Sequence, residues 1–317
     1  MFGLMPNCRL DLKKPYYCMA DYQGAEARWC PGCGDHAVLA TVQRLCRDKQ
    51  LPPEKTVFVS GIGCSSRFPH YMRTYGFHGL HGRALPVAAG IRMRRPDLHV
   101  FVVMGDGDCC SIGTAHWVHT IRYNMKMVVM LFDNEIYGLT KGQTSPTSRA
   151  GTRSSTHPSG SVLPGLNPLP ITLGVTNVSF VAQTVDWNPA HMMATLDAAY
   201  EHPGFAFIRI IQRCPHFAKG LHEELLANPD RTLYLDHKQG ITLPDEVARM
   251  YKNRARHDPS DLIAALTHAM RTDVIPIGLF FQDRSRTRYD VYGAANINTP
   301  PERKEAMLNR ELDRFAV

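Results

Sequence analysis

The chain has 317 residues, 44% of them hydrophobic and 21% charged, enough to bury one large core or two small ones. Its net charge of +7 is spread over scattered Lys and Arg, without a zinc-finger, homeodomain or RNA-recognition pattern, so no nucleic-acid partner is expected. No apolar run approaches the roughly 20 residues that cross a bilayer, and the stretch before residue 8, broken by Gly3 and Pro6, is no signal peptide. The expectation is a cytoplasmic protein without membrane contact.

Residues 1–29 mix Pro, Tyr and charge without periodicity and read as an N-terminal arm lying over another surface. A helix is predicted after Gly34, with Asp35 as its N-cap and Val38, Leu39, Val42 and Leu45 at helical spacing. Four short β-rich runs follow: Thr56 to Ser60, Val100 to Met104, Met127 to Phe132 and Phe205 to Ile211. Helical stretches at 114–124 and 189–202 alternate with them, which implies an α/β domain with a mostly parallel sheet and helices on both faces. Residues 140–170, rich in Gly, Pro, Ser and Thr, read as a long loop over a site. Beyond about residue 218 the pattern weakens to two candidate helices, at 260–270 and 300–315. The division expected is an arm (1–29), a binding domain (30–220) and a C-terminal extension (221–317) at a subunit interface.

The chemically loaded residues follow strand ends, where open parallel sheets place their ligands. Gly105-Asp106-Gly107-Asp108 closes one apolar run, and Asn134 closes the next, 28 positions after Asp106. Glycines let the backbone approach a phosphate, and the helix predicted to follow offers free N–H groups to an anion. Mg²⁺ takes hard oxygen ligands and shares them with phosphate and water. A carboxylate from Asp106 and an amide oxygen from Asn134 suit that need.

The nine cysteines lie at 8, 18, 30, 33, 46, 64, 109, 110 and 214, an odd count that argues against a disulfide framework. Cys30-Pro31-Gly32-Cys33 is a redox dithiol, half a zinc site or half a cluster site. Cys64 and Cys214 also stand at strand ends, so the four could converge on one metal site. The remaining five read as plain thiols, Cys109 and Cys110 packing in a turn that leads into a helix.

The sequences WCPGCG (29–34), GIGCS (61–65), GDG (105–107) and a distant Cys214-Pro215, in that order, resemble the β subunits of 2-oxoacid:ferredoxin oxidoreductases. HGLHGRALPVAAGI (78–91) and DNEIYGLTKGQTSPT (133–147) are similar to the same family, and the resemblance covers about 25–220. It implies a thiamine-diphosphate-binding fold with Mg²⁺ held by Asp106, Asn134 and the carbonyl of Ile136. It implies one [4Fe–4S] cluster on Cys30, Cys33, Cys64 and Cys214; a zinc ion on the same four thiolates, which would carry no electrons, is the alternative. The cofactor would lie against Gly63, Cys64, Ser65, His81, Gly82, Gly105, Gly107, Asp108, Gly138, Leu139 and Thr140. Asp133 stands where the family's paired Asn motif has its first Asn.

Arg67, in CSSRFPHY, would pair with the distal carboxylate of 2-oxoglutarate, a role suited to a guanidinium; His81 and Leu139 would complete the substrate pocket. Pyruvate or a broad set of 2-oxoacids is the alternative. The resemblance further implies oxidative decarboxylation, coenzyme A as acyl acceptor and ferredoxin as electron acceptor, all reversible. No glutamate suited to activating the thiamine ring is evident, so an obligate α partner would supply it, in an (αβ)₂ assembly. A non-redox thiamine enzyme would have no reason to keep four placed cysteines. A zinc-binding interaction subunit would not explain GDG with Asn134.

Overall fold

The computed structural model describes residues 16–237, 241, 243, 245–249, 251–292 and 299–315; Cys8 and residues 1–15 of the predicted arm lie outside them. In chain order the strands are β1 (Thr56–Ser60), β2 (Tyr75–His78), β3 (His99–Gly105), β4 (Met127–Asp133), β5 (Ile136–Tyr137), β6 (Gln143–Thr144), β7 (Phe180–Val185), β8 (Phe205–Ile211), β9 (Thr232–Asp236), β10 (Arg254–Arg256) and β11 (Ile275–Gln282). Nine of them make one sheet in the order β10-β9-β11-β7-β8-β4-β3-β1-β2, while β5 and β6 pair as a small separate hairpin. Every pairing in the large sheet is parallel except β11 against β7.

Alternate strand residues feed two cores. Val57, Val100, Val102, Val129 and Leu131 point to one face, packed by α2 (Ala84–Arg94), α3 (Thr114–Tyr123), α4 (Pro168–Leu173) and the helix Leu262–Ala269. Phe58, Phe101, Val103, Val128 and Met130 point to the other, covered by α1 (Asp35–Asp48) and α5 (Pro189–Glu201). Two apolar faces explain why these strands read as unbroken hydrophobic runs rather than alternating ones. The expected α/β architecture is therefore present.

The four predicted strands are β1, β3, β4 and β8, each with ends within a residue of the reading. Fully buried β7 escaped it because Gln183 and Thr184 interrupt its apolar pattern; their side chains bond Pro276 O (2.6 Å) and His191 Nδ1 (2.7 Å) instead. Residues 221–292 supply β9, β10 and β11 to the same sheet, where the sequence suggested no strands. Asp35 is not an N-cap: Gly34 occupies that position, and Asp35 is the buried first residue of α1. The described part of the arm lies on its own domain. Tyr22 is fully buried and donates to Leu51 O at 2.8 Å, and Trp29 Nε1 donates to Cys64 O at 2.7 Å.

Candidate active site

Beyond the carboxyl ends of β1, β3 and β4 lies a cavity of about 160 Å³. Gly63, Cys64 and Ser65 wall it from the β1 side, His81 from the turn after β2, and Gly105 to Asp108 from the end of β3. Asn134, Ile136, Gly138, Leu139 and Thr140 close it from the segment after β4. Ile62 and Tyr137, not singled out from sequence, complete the wall. Two predicted residues stand off the lining. Gly82 is buried behind it, its N–H bound to Asp108 Oδ1 at 2.7 Å. Arg67 is half-buried on the turn after Cys64, and its guanidinium makes no hydrogen bond or ion pair among the described residues.

Asp106 is buried, and its Oδ2 accepts from Thr147 Oγ1 at 2.7 Å and from Ser145 Oγ. Burial, then the neighbouring Asp133 carboxylate, raise the Asp106 carboxyl above its ordinary range. A divalent cation would relieve both effects. Asn134 Oδ1 accepts from the N–H of Ile136 at 3.1 Å, and an amide oxygen keeps a second lone pair for a cation. The donor set is thus hard oxygen beside glycine backbone, which fits Mg²⁺ carrying a diphosphate.

The expected helix does not follow GDG directly. Asp108–Ile112 first makes one π-helical turn, into which Cys109 and Cys110 pack, both buried. Ser145 and Thr147 come from the long loop predicted to lie over the site; they fall at the end of the 133–147 stretch, but neither was singled out as a partner of Asp106. Asp133, in the unusual first position, is fully buried, pairs with Arg209 at 2.6 Å and accepts from Thr147 at 2.8 Å.

The four cysteines gather beside this cavity. Burial first, then Asp35, Cys214 and Cys30, push the Cys64 thiol up to about 12. Cys33 is raised by burial, then by Asp35, with smaller contributions from Cys214 and Cys64. Each cysteine of the set therefore lies within electrostatic reach of another. Among the described residues no three His, Cys, Asp or Glu side chains converge closely enough for a single metal ion. A cluster tolerates such spacing, because each thiolate ligates its own iron. Cys64 belongs to both sites: it lines the cavity, and a Cβ on Gly138 would come within 3.3 Å of its sulfur.

The fold is that of a thiamine-diphosphate-binding domain: residues 61–210 match the family "Thiamine pyrophosphate enzyme, C-terminal TPP binding domain". Residues 247–292 match the family of C-terminal regions of the pyruvate ferredoxin oxidoreductase beta chain. The 2-oxoacid:ferredoxin oxidoreductase subunit beta of a Sulfolobus species is 36% identical over 276 residues, 84% of this chain and 86% of that one. The 2-oxoglutarate oxidoreductase subunit KorB of Mycobacterium tuberculosis is 46% identical over 200 residues, 63% of this chain, and the match spans 53% of that relative. A solved structure of the 2-oxoglutarate:ferredoxin oxidoreductase from Magnetococcus marinus, with 2-oxoglutarate, coenzyme A and succinyl-CoA bound, superposes with a TM-score of 0.77 at 34% identity, over 92% of this chain and 96% of that one. The chain belongs to the β subunits of the 2-oxoacid:ferredoxin oxidoreductases.

Proposed function

We propose that this chain is the β subunit of a cytoplasmic 2-oxoglutarate:ferredoxin oxidoreductase that binds thiamine diphosphate through Mg²⁺ and one [4Fe–4S] cluster. Its reaction is the reversible conversion of 2-oxoglutarate and coenzyme A to succinyl-CoA and CO₂, with two electrons leaving for ferredoxin. Thiamine diphosphate, when bound, supplies the carbon nucleophile and electron sink for decarboxylation. The single observation that carries the reading is Cys64, which lines the cofactor cavity and belongs to the cysteine set, so one loop joins the two.

The protein's own residues have separable tasks. Asp106, Asn134 and the Ile136 carbonyl would hold Mg²⁺, with Ser145 and Thr147 orienting Asp106. Asp108 accepts from His81 Nδ1 at 2.6 Å, which fixes that nitrogen as the protonated one and turns the ring toward the cavity. Arg67, a cation without an ion-pair partner among the described residues, would receive the distal carboxylate of 2-oxoglutarate; that favours a dicarboxylic substrate over pyruvate. Leu139, 45% exposed at the rim, would cover the substrate's methylenes.

An α subunit would supply the glutamate that activates the thiamine ring, in an (αβ)₂ assembly. Residues 221–317 would meet a partner subunit: Met307, Leu308, Leu312 and Phe315 stand exposed on and just after the helix Pro301–Asp313. The test is iron, sulfide, zinc and thiamine diphosphate analysis of anaerobically purified protein coexpressed with its partner. About four iron and four sulfide per chain are expected from the cluster's stoichiometry. Zinc without sulfide would remove the electron path and with it the oxidoreductase reading.

A further inference from the structure

We infer that Gln212, placed by the end of β8 against Cys33, is a positioning residue that tunes the reduction potential of the group held by the four cysteines. The inference rests on the cluster reading above. Gln212 is 1% exposed, and its Nε2 donates to Cys33 Sγ at 3.3 Å and to Arg213 O at 2.5 Å. Both neighbours accept, so only this orientation of the amide satisfies the contact. Its Oε1 is buried and has no hydrogen-bond partner among the described residues. Among the described residues no other side chain donates to a sulfur of the set.

The backbone holds the amide in place. Gln212 N–H donates to Asp133 O at 2.9 Å, and Gly34 N–H donates to Arg213 O at 3.1 Å, so the residue is pinned between the β4 end and the CPGC turn. An N–H bond to a thiolate strengthens as negative charge grows on the sulfur. Reduction of a cluster by one electron adds that charge. The bond therefore stabilises the reduced state more than the oxidised one, and losing it makes the potential more negative.

The experiment is an anaerobic redox titration of the holoenzyme, read by the electron paramagnetic resonance of the reduced cluster. Wild type is compared with Gln212→Met, which keeps the side-chain volume, and with Gln212→Glu. At the potential where wild type is half reduced, Gln212→Met is expected to be about one-tenth reduced, a shift of about 59 mV for one electron. Gln212→Glu, placing an anion against Cys33, is expected to move at least as far in the same direction and provides the reading if the methionine variant fails to fold. Hydrogen–deuterium exchange of the wild-type enzyme adds a check without substitution, since the exchangeable N–H should couple to the reduced cluster. A cluster with an unmoved potential in both variants overturns the role of Gln212 alone. A wild-type enzyme without any cluster signal overturns the cluster reading and this inference together.

Discussion

Replacing Arg209 by Ala removes the counter-charge of Asp133, whose side chain has 0% exposure while Arg209 has 15%. The guanidinium reaches Asp133 Oδ2 through two nitrogens, at 2.6 and 2.7 Å, and also donates to Gln183 Oε1 at 3.1 Å. Removing one partner of a buried pair costs about 3–5 kcal/mol, mostly from the charge left behind. Asp133 keeps the bond from Thr147 at 2.8 Å, so the lower end of that range applies. At roughly 2–4 °C per kcal/mol in chains somewhat shorter than this one, Tm should fall by about 6–12 °C. The assay is calorimetry with urea unfolding near neutral pH. The double change Asp133→Asn with Arg209→Met removes both charges and should recover most of the loss, because apolar replacement of a complete buried pair is often neutral. A single variant within about 1 kcal/mol of wild type, or a double variant no better than the single, would refute the argument that the pair compensates the unusual Asp133.

Gly107→Ala should weaken thiamine diphosphate binding more than tenfold, measured by intrinsic fluorescence quenching, because the new Cβ would sit 2.0 Å from Tyr137 Cε1 in the cavity wall; unchanged affinity would show that the ring yields freely. Arg67→Ala should lower kcat/KM for 2-oxoglutarate by roughly 10–100-fold, the worth of a charged hydrogen bond, and leave pyruvate turnover nearly unchanged; equal loss on both substrates removes the specificity argument. Burial pushes the imidazole of His191 down to about 3 and that of His202 to about 3. An unfolded histidine titrates near 6.5, so each group's stability is fully present above about pH 6.5 and is lost, at about 1.4 kcal/mol per unit, as pH falls toward the folded value. Imidazole NMR signals should stay in the neutral form at pH 5; titration of either residue near 6.5 contradicts that sign.

Legibility followed periodicity and motif chemistry. The runs at β1, β3, β4 and β8 were readable because both of their faces are apolar. β7 was not, because Gln183 is buried on a hydrogen bond rather than on apolar contact. β11 was hidden by Pro276 and Gly278, whose backbone the sheet accommodates next to a register shift between Leu279 and Phe281. At the site, the residues that touch the cavity carried signatures, apart from Ile62 and Tyr137. Behind the cavity, Arg209 and Gln212 carried none, and Ser145 and Thr147 sat in a family-like stretch that did not point to Asp106; their partners lie 76, 179, 39 and 41 positions away in sequence. Local spacing cannot encode a contact that only the sheet order creates.

Asp108 shows how that sheet order turns separate motifs into one site. Its Oδ1 accepts from Ile62 N–H at 3.2 Å, from Gly82 N–H at 2.7 Å and from His81 Nδ1 at 2.6 Å. One carboxylate at the end of β3 therefore fixes the loop after β1 and the turn after β2, the strands beside it and at the sheet edge. The glycines flanking these contacts have steric reasons. A Cβ on Gly61 would stand 2.1 Å from Asp108 Oδ2, and one on Gly82, at φ +71°, would stand 2.7 Å from Gly113 N. The loop so fixed also carries Cys64, so the placement of that one cysteine depends on a residue of the GDGD turn that touches no sulfur. The cavity wall and Cys64, the cysteine that lines it, are thus positioned by the same buried hydrogen bonds, and a change at Asp108 would disturb both at once.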